Sequence, residues 1–516
     1  MAAQLQELKI GNFKAFGRTQ TIPIRPITIV FGSNSAGKSS ILHSLLYAHD
    51  AIRSGTDVFK PMPAHGAIDL GGYKQSCHLR NASNDIEIGF TFDFPLGSRQ
   101  SSVTIESSLG MVHHYQSAVP KSFKISIDGS VLISSSIGKN TEYRSKEADT
   151  RRLLWMLFPK EINLSLIKER FAWASPKPPQ RVLSNLDMTK TEYEVKVQEV
   201  LSLLKNHVAF GISDKLLPDS LVPVRKSHLA DKKTRYVFED ITSNLKAFYL
   251  DICLAIENVF EEMCYLPALR TPPSRYLASY FADNTGTSGS LHWELIRNND
   301  AAREVINSWL GQDFMNTPYR LQAENLYRES DIKRNLQETK LIGTLPSMST
   351  DDIVRHRHLE LVDVKKGIVV STQDVGVGIS QVIPVLVGGM GSHGNIFAVE
   401  QPESQLHPAL AAEMGDLMVH VGFNLSSPCI VETHSEYLIR RILRRIRENS
   451  RKSFPDDPNE MLAPEDIPID PDDVALLYVS PGETESHVTR LHISKDGRLI
   501  DPCPGGFFEE GIREMF

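Results

Sequence analysis

The sequence has no long hydrophobic run, no paired cysteine motif and no strong excess of one charge. Its longest apolar stretch, Val382 to Met390, is far too short to span a bilayer. The five cysteines are odd in number and scattered, and no two have C-x-x-C spacing, so neither a zinc site nor a disulfide framework is expected. A net charge of −7 gives no global attraction to nucleic acid or to an anionic membrane.

These absences favour a cytoplasmic protein with reduced thiols and no membrane contact. Met1 leads directly into a strand pattern, so we expect no signal peptide. The length of 516 residues allows two or three domains. Hydrophobic residues make up 41% of the chain and charged residues 23%, which is typical of a globular protein.

The strongest motif lies close to the N terminus, where residues 32–39 read Gly-Ser-Asn-Ser-Ala-Gly-Lys-Ser. This is a complete G-x-x-x-x-G-K-[ST] pattern. Residues 27–31 before it form an apolar run that predicts a buried strand, and the residues after it place apolar side chains on one face of a helix. A glycine- and serine-rich turn without a ligand is the alternative, but strand, loop and helix in this order favour a phosphate-binding loop for a nucleoside triphosphate.

Each part of this loop has a predicted task. Backbone N–H groups would surround the phosphates, and the start of the helix adds partial positive charge. The Lys38 ammonium would reach the β- and γ-phosphates, and the Ser39 hydroxyl would hold Mg²⁺. The predicted nucleotide-binding residues are Gly32, Ser33, Asn34, Ser35, Ala36, Gly37, Lys38, Ser39 and Ser40.

A phosphate loop needs a carboxylate at the end of a second buried strand to hold the metal or its water. Glu400 follows the very apolar segment 395–399 and is the predicted residue, the alternative being a strand-end carboxylate that faces solvent. Glu403, three residues later, could polarise the attacking water. His434 follows the next apolar strand, where an imidazole could sense the γ-phosphate, although a single histidine after a strand is more often structural.

The order of these segments resembles the ABC-type ATPases of the SMC, RecF and OLD group. The matching segments are Asn12–Phe16, Gly32–Ser39, Asp374–Gln381, Glu400–Pro408 and Glu432–Ser435. The resemblance implies that two heads sandwich two ATP molecules, which makes a homodimer or a higher oligomer. It also implies a signature segment that contacts the ATP bound by the opposite subunit, with Gly376, Gly378 and Ser380 as its residues.

The tail extends the resemblance to a bacterial subset that ends in a Trp-Pro-Asp-Gly-Phe-Phe-like motif. Residues 501–508 look like that motif, although Cys503 and Gly505 depart from it. The broader group often occurs in anti-phage defence operons and is similar to the ATPase subunits of systems such as Septu or PARIS. The resemblance therefore implies a separately encoded effector as partner, such as a nuclease or a toxin. No carboxylate pattern of a TOPRIM nuclease is evident after His434.

One departure from the group concerns catalysis. Gln401 stands where most ABC proteins have the catalytic glutamate, and an amide cannot accept a proton as a base. Either Glu403 takes over that role, or hydrolysis is slow and the ATP-bound dimer is long-lived. The candidate catalytic residues are Glu403, His434 and Gln401, and the candidate metal ligands are Ser39 and Glu400.

Two further readings stay open beside an ATPase that regulates an effector. One is a scaffold that assembles on ATP with negligible turnover. The other is a RecF-like repair protein that binds DNA directly, for which an arginine-rich helix after His434 is the candidate surface. A solvated helix face is the favoured interpretation of those arginines, which are Arg440, Arg441, Arg444, Arg445 and Arg447.

The expected fold is an α/β P-loop NTPase of the ABC-head type, with a mixed sheet, an antiparallel N-terminal lobe and a helical insertion. Apolar runs with both faces covered favour parallel strands around 395–399 and 428–431, and alternating patterns favour an antiparallel sheet between about 70 and 150. The predicted domains are an N-terminal lobe over 1–150, a helical insertion over 151–264, a C-terminal lobe over 265–450, and a linker with a terminal strand over 451–516.

Overall fold

A computed structural model describes most of the chain. The residues it describes are 4–53, 56–57, 63–64, 68–96, 99–111, 117–137, 155–163, 188–212, 216–217, 220–223, 231–270, 290–312, 314–326, 356–371, 376–453 and 461–504. The chain divides into two compact units. The first unit comprises residues 1–263, 474–491 and 503–505, and the second comprises residues 264–473, 492–502 and 506–516.

The strands and helices are numbered in chain order within the described residues. The strands are β1 (Gln4–Gly11), β2 (Gln20–Pro23), β3 (Ile27–Gly32), β4 (Thr56–Asp57), β5 (Pro63–Ala64), β6 (Ile68–Asp69), β7 (Ile86–Leu96), β8 (Arg99–Met111), β9 (Ser117–Ile127), β10 (Ser130–Ile137), β11 (Trp155–Ile162), β12 (Val208–Ile212), β13 (Ser220–Pro223), β14 (Cys264–Leu266), β15 (Tyr319–Leu326), β16 (His356–Asp363), β17 (Ile368–Val370), β18 (Phe397–Glu400), β19 (Cys429–Glu432), β20 (Val474–Pro481) and β21 (Ser486–Leu491). The helices are α1 (Ser39–Arg53), α2 (Tyr73–Ser76), α3 (Lys190–His207), α4 (Lys232–Glu261), α5 (Ser290–Asn298), α6 (Asp300–Leu310), α7 (Val377–Gly391), α8 (Pro408–Phe423) and α9 (Glu436–Asn449).

The first unit contains a large antiparallel sheet with the strand order β13-β12-β11-β10-β9-β8-β7-β1-β2, and the short β4 adds to β9. The long helix α4 covers this sheet. Its buried side chains recur every three or four residues, as expected of a helix with one apolar face. Tyr249 and Phe260 of α4 meet Phe123 of β9 and Phe90 of β7 edge to face, at ring-centroid distances of 5.8 Å and 5.1 Å.

The same unit contains the strand that precedes the predicted phosphate loop. β3 is buried at all six positions and pairs in parallel with β20, from Ile27 opposite Val474 to Gly32 opposite Val479. β21 pairs antiparallel with β20. The continuous apolar sequence of β3 reflects this burial on both faces.

The second unit contains a parallel arrangement in the order β14-β18-β19, with Tyr265 opposite Ala398 and Glu400 opposite Glu432. β15, β16 and β17 form a separate antiparallel sheet. Because β18 and β19 run parallel and in register, the two carboxylates at their ends lie at the same edge.

The α/β P-loop fold with an antiparallel N-terminal lobe and helices inserted in it is confirmed. Strands also occur within the range predicted as the helical insertion, since β11, β12 and β13 extend the antiparallel sheet there. The four predicted domains stay a prediction, and the limit at residue 150 lies outside the described residues. Among the helices described, none is long and apolar enough to cross a membrane.

Candidate functional site

The phosphate loop runs from the end of β3 to the first residue of α1. Gly32 and Gly37 have φ values of 146° and 91°, and Ser35 has a φ of 60°. Left-handed backbone of this kind turns successive N–H groups toward one side of a loop, which is the geometry that cradles an anion. Ser33, Asn34 and Ser35 are exposed at the tip, whereas Ala36 is buried.

Both motif glycines are also fixed by what surrounds them. A Cβ on Gly32 would lie 2.2 Å from the carbonyl oxygen of Val479 in β20, and a Cβ on Gly37 would lie 2.3 Å from the Cβ of Ala15. Ala15 belongs to the Asn12–Phe16 segment. The carbonyl oxygen of Ala15 accepts a hydrogen bond from the backbone N–H of Ser486 (2.9 Å). The segment therefore supports the loop.

Lys38 is 4% exposed, and its ammonium points into the loop. Its Nζ donates to the carbonyl oxygens of Ser33 (2.8 Å) and Gly32 (3.2 Å). Bonds to the loop's own carbonyls hold the charged group in place where phosphate oxygens would compete for the same donors. The predicted contact of Lys38 with phosphate is compatible with this position and stays a prediction.

In the second unit, Glu400 ends β18 and Glu432 ends β19, and they are 8% and 3% exposed. The Tyr265 hydroxyl, on β14, donates to Glu400 Oε1 (2.9 Å). Burial, together with the nearby Glu400 carboxylate, raises the pKa of Tyr265 far above its usual value, so the phenol keeps its proton and orients the carboxylate. The predicted metal ligand is thus held by a neighbouring strand.

Arg270 follows β14 and is 3% exposed. Its Nη2 donates to the carbonyl oxygens of Glu400 (2.5 Å) and Gln401 (3.4 Å). Within the described part of the chain, its Nε and Nη1 have no hydrogen-bond partner. Burial lowers the pKa of Arg270 to about 10, and the charges of Glu403 and Glu400 oppose that shift, so the guanidinium stays positive at neutral pH.

Glu403 connects the loop after β18 to the loop after β19. Its Oε1 accepts hydrogen bonds from the Thr433 hydroxyl (2.7 Å) and from the backbone N–H of His434 (2.9 Å). Its Oε2 is buried, with no hydrogen-bond partner in the residues that the structure describes. Burial raises the pKa of Glu403, although its hydrogen bonds and the Arg270 charge pull the other way. The sequence placed Glu403 and His434 at one site, and the structure brings them together.

Gln401 lies in a strained turn. It has a φ of 42°, and Gln405 in the same turn has a φ of 67°, a region that costs a residue with a Cβ roughly 1 kcal/mol. The backbone N–H of Gln401 donates to the carbonyl oxygen of Glu432 (2.7 Å), which ties this turn to β19. The role of Gln401 at the usual position of a catalytic glutamate stays a prediction.

The predicted signature residues lie at the beginning of α7. Gly376 precedes the helix and is exposed, whereas Ser380 is 6% exposed. A Cβ on Gly378 would lie 2.8 Å from the carbonyl oxygen of Gln405, so only glycine lets the helix approach that turn. Asp374 and Val375 of the same motif lie outside the described residues.

Four of the five arginines of α9 have acidic partners among the described residues. Asp416 on α8 binds Arg445 through two hydrogen bonds (2.8 and 2.7 Å) and Arg441 through one (2.5 Å). Arg440 pairs with Glu436 and Arg444 with Glu448, each at 2.7 Å. The interpretation as a solvated face fits Arg440 and Arg444 but is wrong for Arg445, which is 9% exposed because it neutralises a buried carboxylate.

The available donors fit a magnesium ion that also binds a nucleotide. Serine hydroxyl and carboxylate oxygens are ligands that Mg²⁺ accepts, and the ion usually takes one or two of them plus substrate phosphates and water. No cluster of three or more His, Cys, Asp or Glu side chains that could hold a metal ion occurs among the residues described. An ion held only by protein carboxylates is therefore not indicated there.

Comparisons with known proteins found one family model and several solved structures that are similar to this chain. Residues 7–206 match a family model described as an AAA domain. The match covers 200 of the 516 residues, which is less than half of the chain. This matched region contains the phosphate loop and most of the antiparallel sheet, and the carboxylates of the second unit lie beyond it.

Similar folds occur among solved structures, at low similarity. They include the SMC head domain from Thermotoga maritima (10% identity, covering 95% of this chain and 100% of that chain, TM-score 0.36). Another is the Smc head domain with an extended coiled coil bound to the C-terminal domain of ScpA, derived from Pyrococcus furiosus (11% identity, 99% and 98% coverage, TM-score 0.37). TM-scores this low add nothing on function. No curated protein matches the chain.

The sequence pointed to Glu400, Glu403 and His434 but not to the side chains that hold them. It gave no role to Tyr265 or Gln381, and for Arg270 it suggested only an approach to the nucleotide. The only signal for Arg270 was its place directly after an apolar run that becomes β14. The tail motif after Pro504 lies outside the described residues.

Proposed function

We propose that this protein is an ATPase whose heads pair around ATP and whose nucleotide state controls a separately encoded effector, a nuclease or toxin of an anti-phage system. The observation that carries the ATPase part is the complete phosphate loop with its buried, inward-pointing Lys38. The head pairing and the defence role rest on the resemblance in motif order.

The proposed division of labour follows from the chemistry of each group. Residues 32–40 would bind the phosphates. By the resemblance in motif order, Ser39 and Glu400 would supply oxygen ligands to Mg²⁺, and that ion would neutralise phosphate charge. Glu403 accepts the proton of the attacking water, and His434 contacts the γ-phosphate. Gly376, Gly378 and Ser380 contact the nucleotide of the opposite subunit.

Glu403 is a plausible base because its two oxygens differ. Oε1 is held by Thr433 and His434, while the buried Oε2 is left to accept a proton. A carboxylate whose pKa is raised binds a proton more readily than an ordinary one and is the better base at neutral pH.

The first test is ATP turnover of Glu403→Gln beside the wild type. The amide keeps the size of the side chain but cannot take a proton, so we expect turnover to fall about 100-fold, within the range for loss of a general base. ATP affinity should stay within about twofold, because affinity depends on the phosphate loop. Steady-state phosphate release and titration with a fluorescent ATP analogue measure the two quantities.

The matched control is Glu413→Gln, a partly buried glutamate of the same unit that pairs with Arg441. It should leave turnover unchanged. Equal turnover of Glu403→Gln and wild type would remove Glu403 from the mechanism. Negligible turnover of both, with ATP still bound, would favour the second candidate, a scaffold that assembles on ATP; Gln401 at the usual position of the base is the observation that favours it.

A protein that binds DNA directly is less favoured. Four of the five α9 arginines that would hold phosphates already pair with carboxylates, among them Glu436, Glu448 and Asp416. Salt-sensitive DNA binding that disappears when Arg440 and Arg444 are neutralised would restore this third reading.

A further inference from the structure

The turn from Glu400 to His407 carries the proposed base, and three anchors hold it. β19 holds Gln401 N through the Glu432 carbonyl, and the loop after β19 holds Glu403 through Thr433 and His434. The third anchor is Arg270, which binds the carbonyls at the beginning of the turn. Two non-glycine residues of the turn have positive φ, so its conformation depends on these anchors.

Among the residues that the structure describes, the side chain of Gln381 holds the backbone of Arg270. Gln381 Nε2 donates to the Arg270 carbonyl oxygen (2.6 Å), and the Arg270 backbone N–H donates to Gln381 Oε1 (3.1 Å). The glutamine amide thus binds both backbone groups of one residue, as a neighbouring strand would. Both side chains are buried, at 8% and 3% exposure, so water cannot easily replace these bonds.

Gln381 lies in the first turns of α7, close to the exposed Gly376. The same end of the helix meets the Glu400–His407 turn a second time, where Gly378 packs against the Gln405 carbonyl. A movement of the beginning of α7 must therefore be accommodated at both ends of that turn.

We propose that Gln381 and Arg270 form a relay through which the first turn of α7 sets the conformation of the Glu400–His407 turn. Contact by a second copy of the chain at Gly376 then changes the position of Glu403. The relay deepens the proposed function, on which its catalytic consequence rests. Arg270 and Gln381 are positioning residues in this relay, since they act through the backbone of the turn.

The guanidinium has an electrostatic part as well. Arg270 is a cation facing Glu403, and it lowers the pKa of that carboxyl against the effect of burial. The titratable groups around the pair are Glu400, Tyr265, His292 and His434. Burial and the Arg270 charge lower the pKa of His292 to about 4. His292 is therefore neutral near pH 7 and adds no positive charge beside the guanidinium.

The first experiment measures amide hydrogen exchange of the nucleotide-free chain in Gln381→Ala, Arg270→Met and the double variant. The hydrogen bonds described for the Gln381 side chain go to Arg270 and not to the Glu400–His407 turn. Even so, Gln381→Ala should speed amide exchange in peptides covering 400–407 about fivefold. Arg270→Met should do the same, and the double variant should add nothing to Arg270→Met, because one pathway is already broken.

Gln322→Ala is the control, since this exposed glutamine of the same unit binds only Glu360 among the contacts described. It should leave the 400–407 peptides unchanged. Additive effects in the double variant, or faster exchange in Gln381→Ala confined to the peptides around 270 and 381, would overturn the relay. Arg270→Lys covers the case in which Arg270→Met does not fold, and should give an intermediate increase because lysine lacks the planar fork.

The second experiment separates positioning from a merely structural role. In Arg270→Met, the fall of turnover at acid pH (the acid limb) should begin at a higher pH than in the wild type. The reason is that removing the Arg270 cation raises the pKa of Glu403. In Arg270→Lys, the fall should begin at the wild-type pH again, because lysine keeps the positive charge. Gln381→Ala should lower kcat at unchanged KM and keep the limb of the wild type. An unshifted limb in Arg270→Met would overturn the electrostatic part. Absence of turnover in the wild type would refute the proposed hydrolysis and leave the exchange result standing.

Discussion

Replacing Lys38 by alanine is expected to weaken ATP binding by about 10- to 100-fold. Hydrogen bonds to charged groups contribute about 1.5–3 kcal/mol, and each 1.4 kcal/mol is about tenfold in affinity. The ammonium is buried and already oriented by the Ser33 and Gly32 carbonyls, so little further ordering is needed when phosphates arrive. Titration with a fluorescent ATP analogue, at constant salt and Mg²⁺, measures the affinity.

The comparison variant is Lys124→Ala, in the antiparallel sheet of the same unit. The Lys124 side chain is 41% exposed and pairs with Glu106. Lys124→Ala therefore removes one positive charge that is not part of the loop. It should leave ATP affinity unchanged within about twofold, because exposed ion pairs have small effects. Wild-type affinity in Lys38→Ala would contradict the nucleotide site and with it the whole proposed function. Thermal melting of both variants shows whether a loss of affinity reflects unfolding.

Asp416→Asn should destabilise the second unit by about 3 kcal/mol, the cost typical of removing one partner of a buried ion pair. Asp416 is 3% exposed and binds both Arg441 and Arg445. The amide keeps the shape of the side chain but removes the buried carboxylate that the two guanidinium groups share, and it leaves Arg441 with Glu413 and Arg445 with Glu448, which are both more exposed than Asp416. Hydrogen bonding to Asp416 is also the main reason that the pKa of Arg445 lies above its usual value. The urea midpoint of the second unit's transition measures the effect.

Glu436→Gln provides the contrast on the same pair of helices. Glu436 binds Arg440, whose side chain is 51% exposed, and such surface pairs contribute at most about 1 kcal/mol. Similar urea midpoints for Asp416→Asn and Glu436→Gln would show that the α9 arginines are not structural. The arginine surface would then again be a candidate for binding nucleic acid.

Much of the local structure could be predicted because its signals are local. The apolar run 27–31 predicted β3 to within one residue, and the apolar face after the loop predicted a helix where α1 lies. The apolar runs before Glu400 and Glu432 predicted β18 and β19, and with them the edge where both carboxylates lie. Glu403 and His434 were predicted from their positions shortly after those strand ends, and their roles stay predictions.

The contacts that hold the site could not be predicted, because their partners are far apart in sequence and have no motif. Tyr265 is 135 positions from Glu400, and Gln381 is 111 from Arg270. Arg441 and Arg445 showed the same periodicity as the exposed arginines of α9. Only the position of Asp416 on the neighbouring helix decides which of them are buried.

The pairing of β3 with β20 has a consequence for how the protein is made. The strand that precedes the phosphate loop emerges from the ribosome first, and its parallel neighbour, Val474–Pro481, emerges only after the long stretch of chain between them has been synthesised. Long-range parallel pairing of this kind forms slowly and only after the intervening chain is available. During translation, the carbonyl of Val479 that packs against Gly32 is therefore missing at first, and the nascent loop stays without this support until β20 has been synthesised.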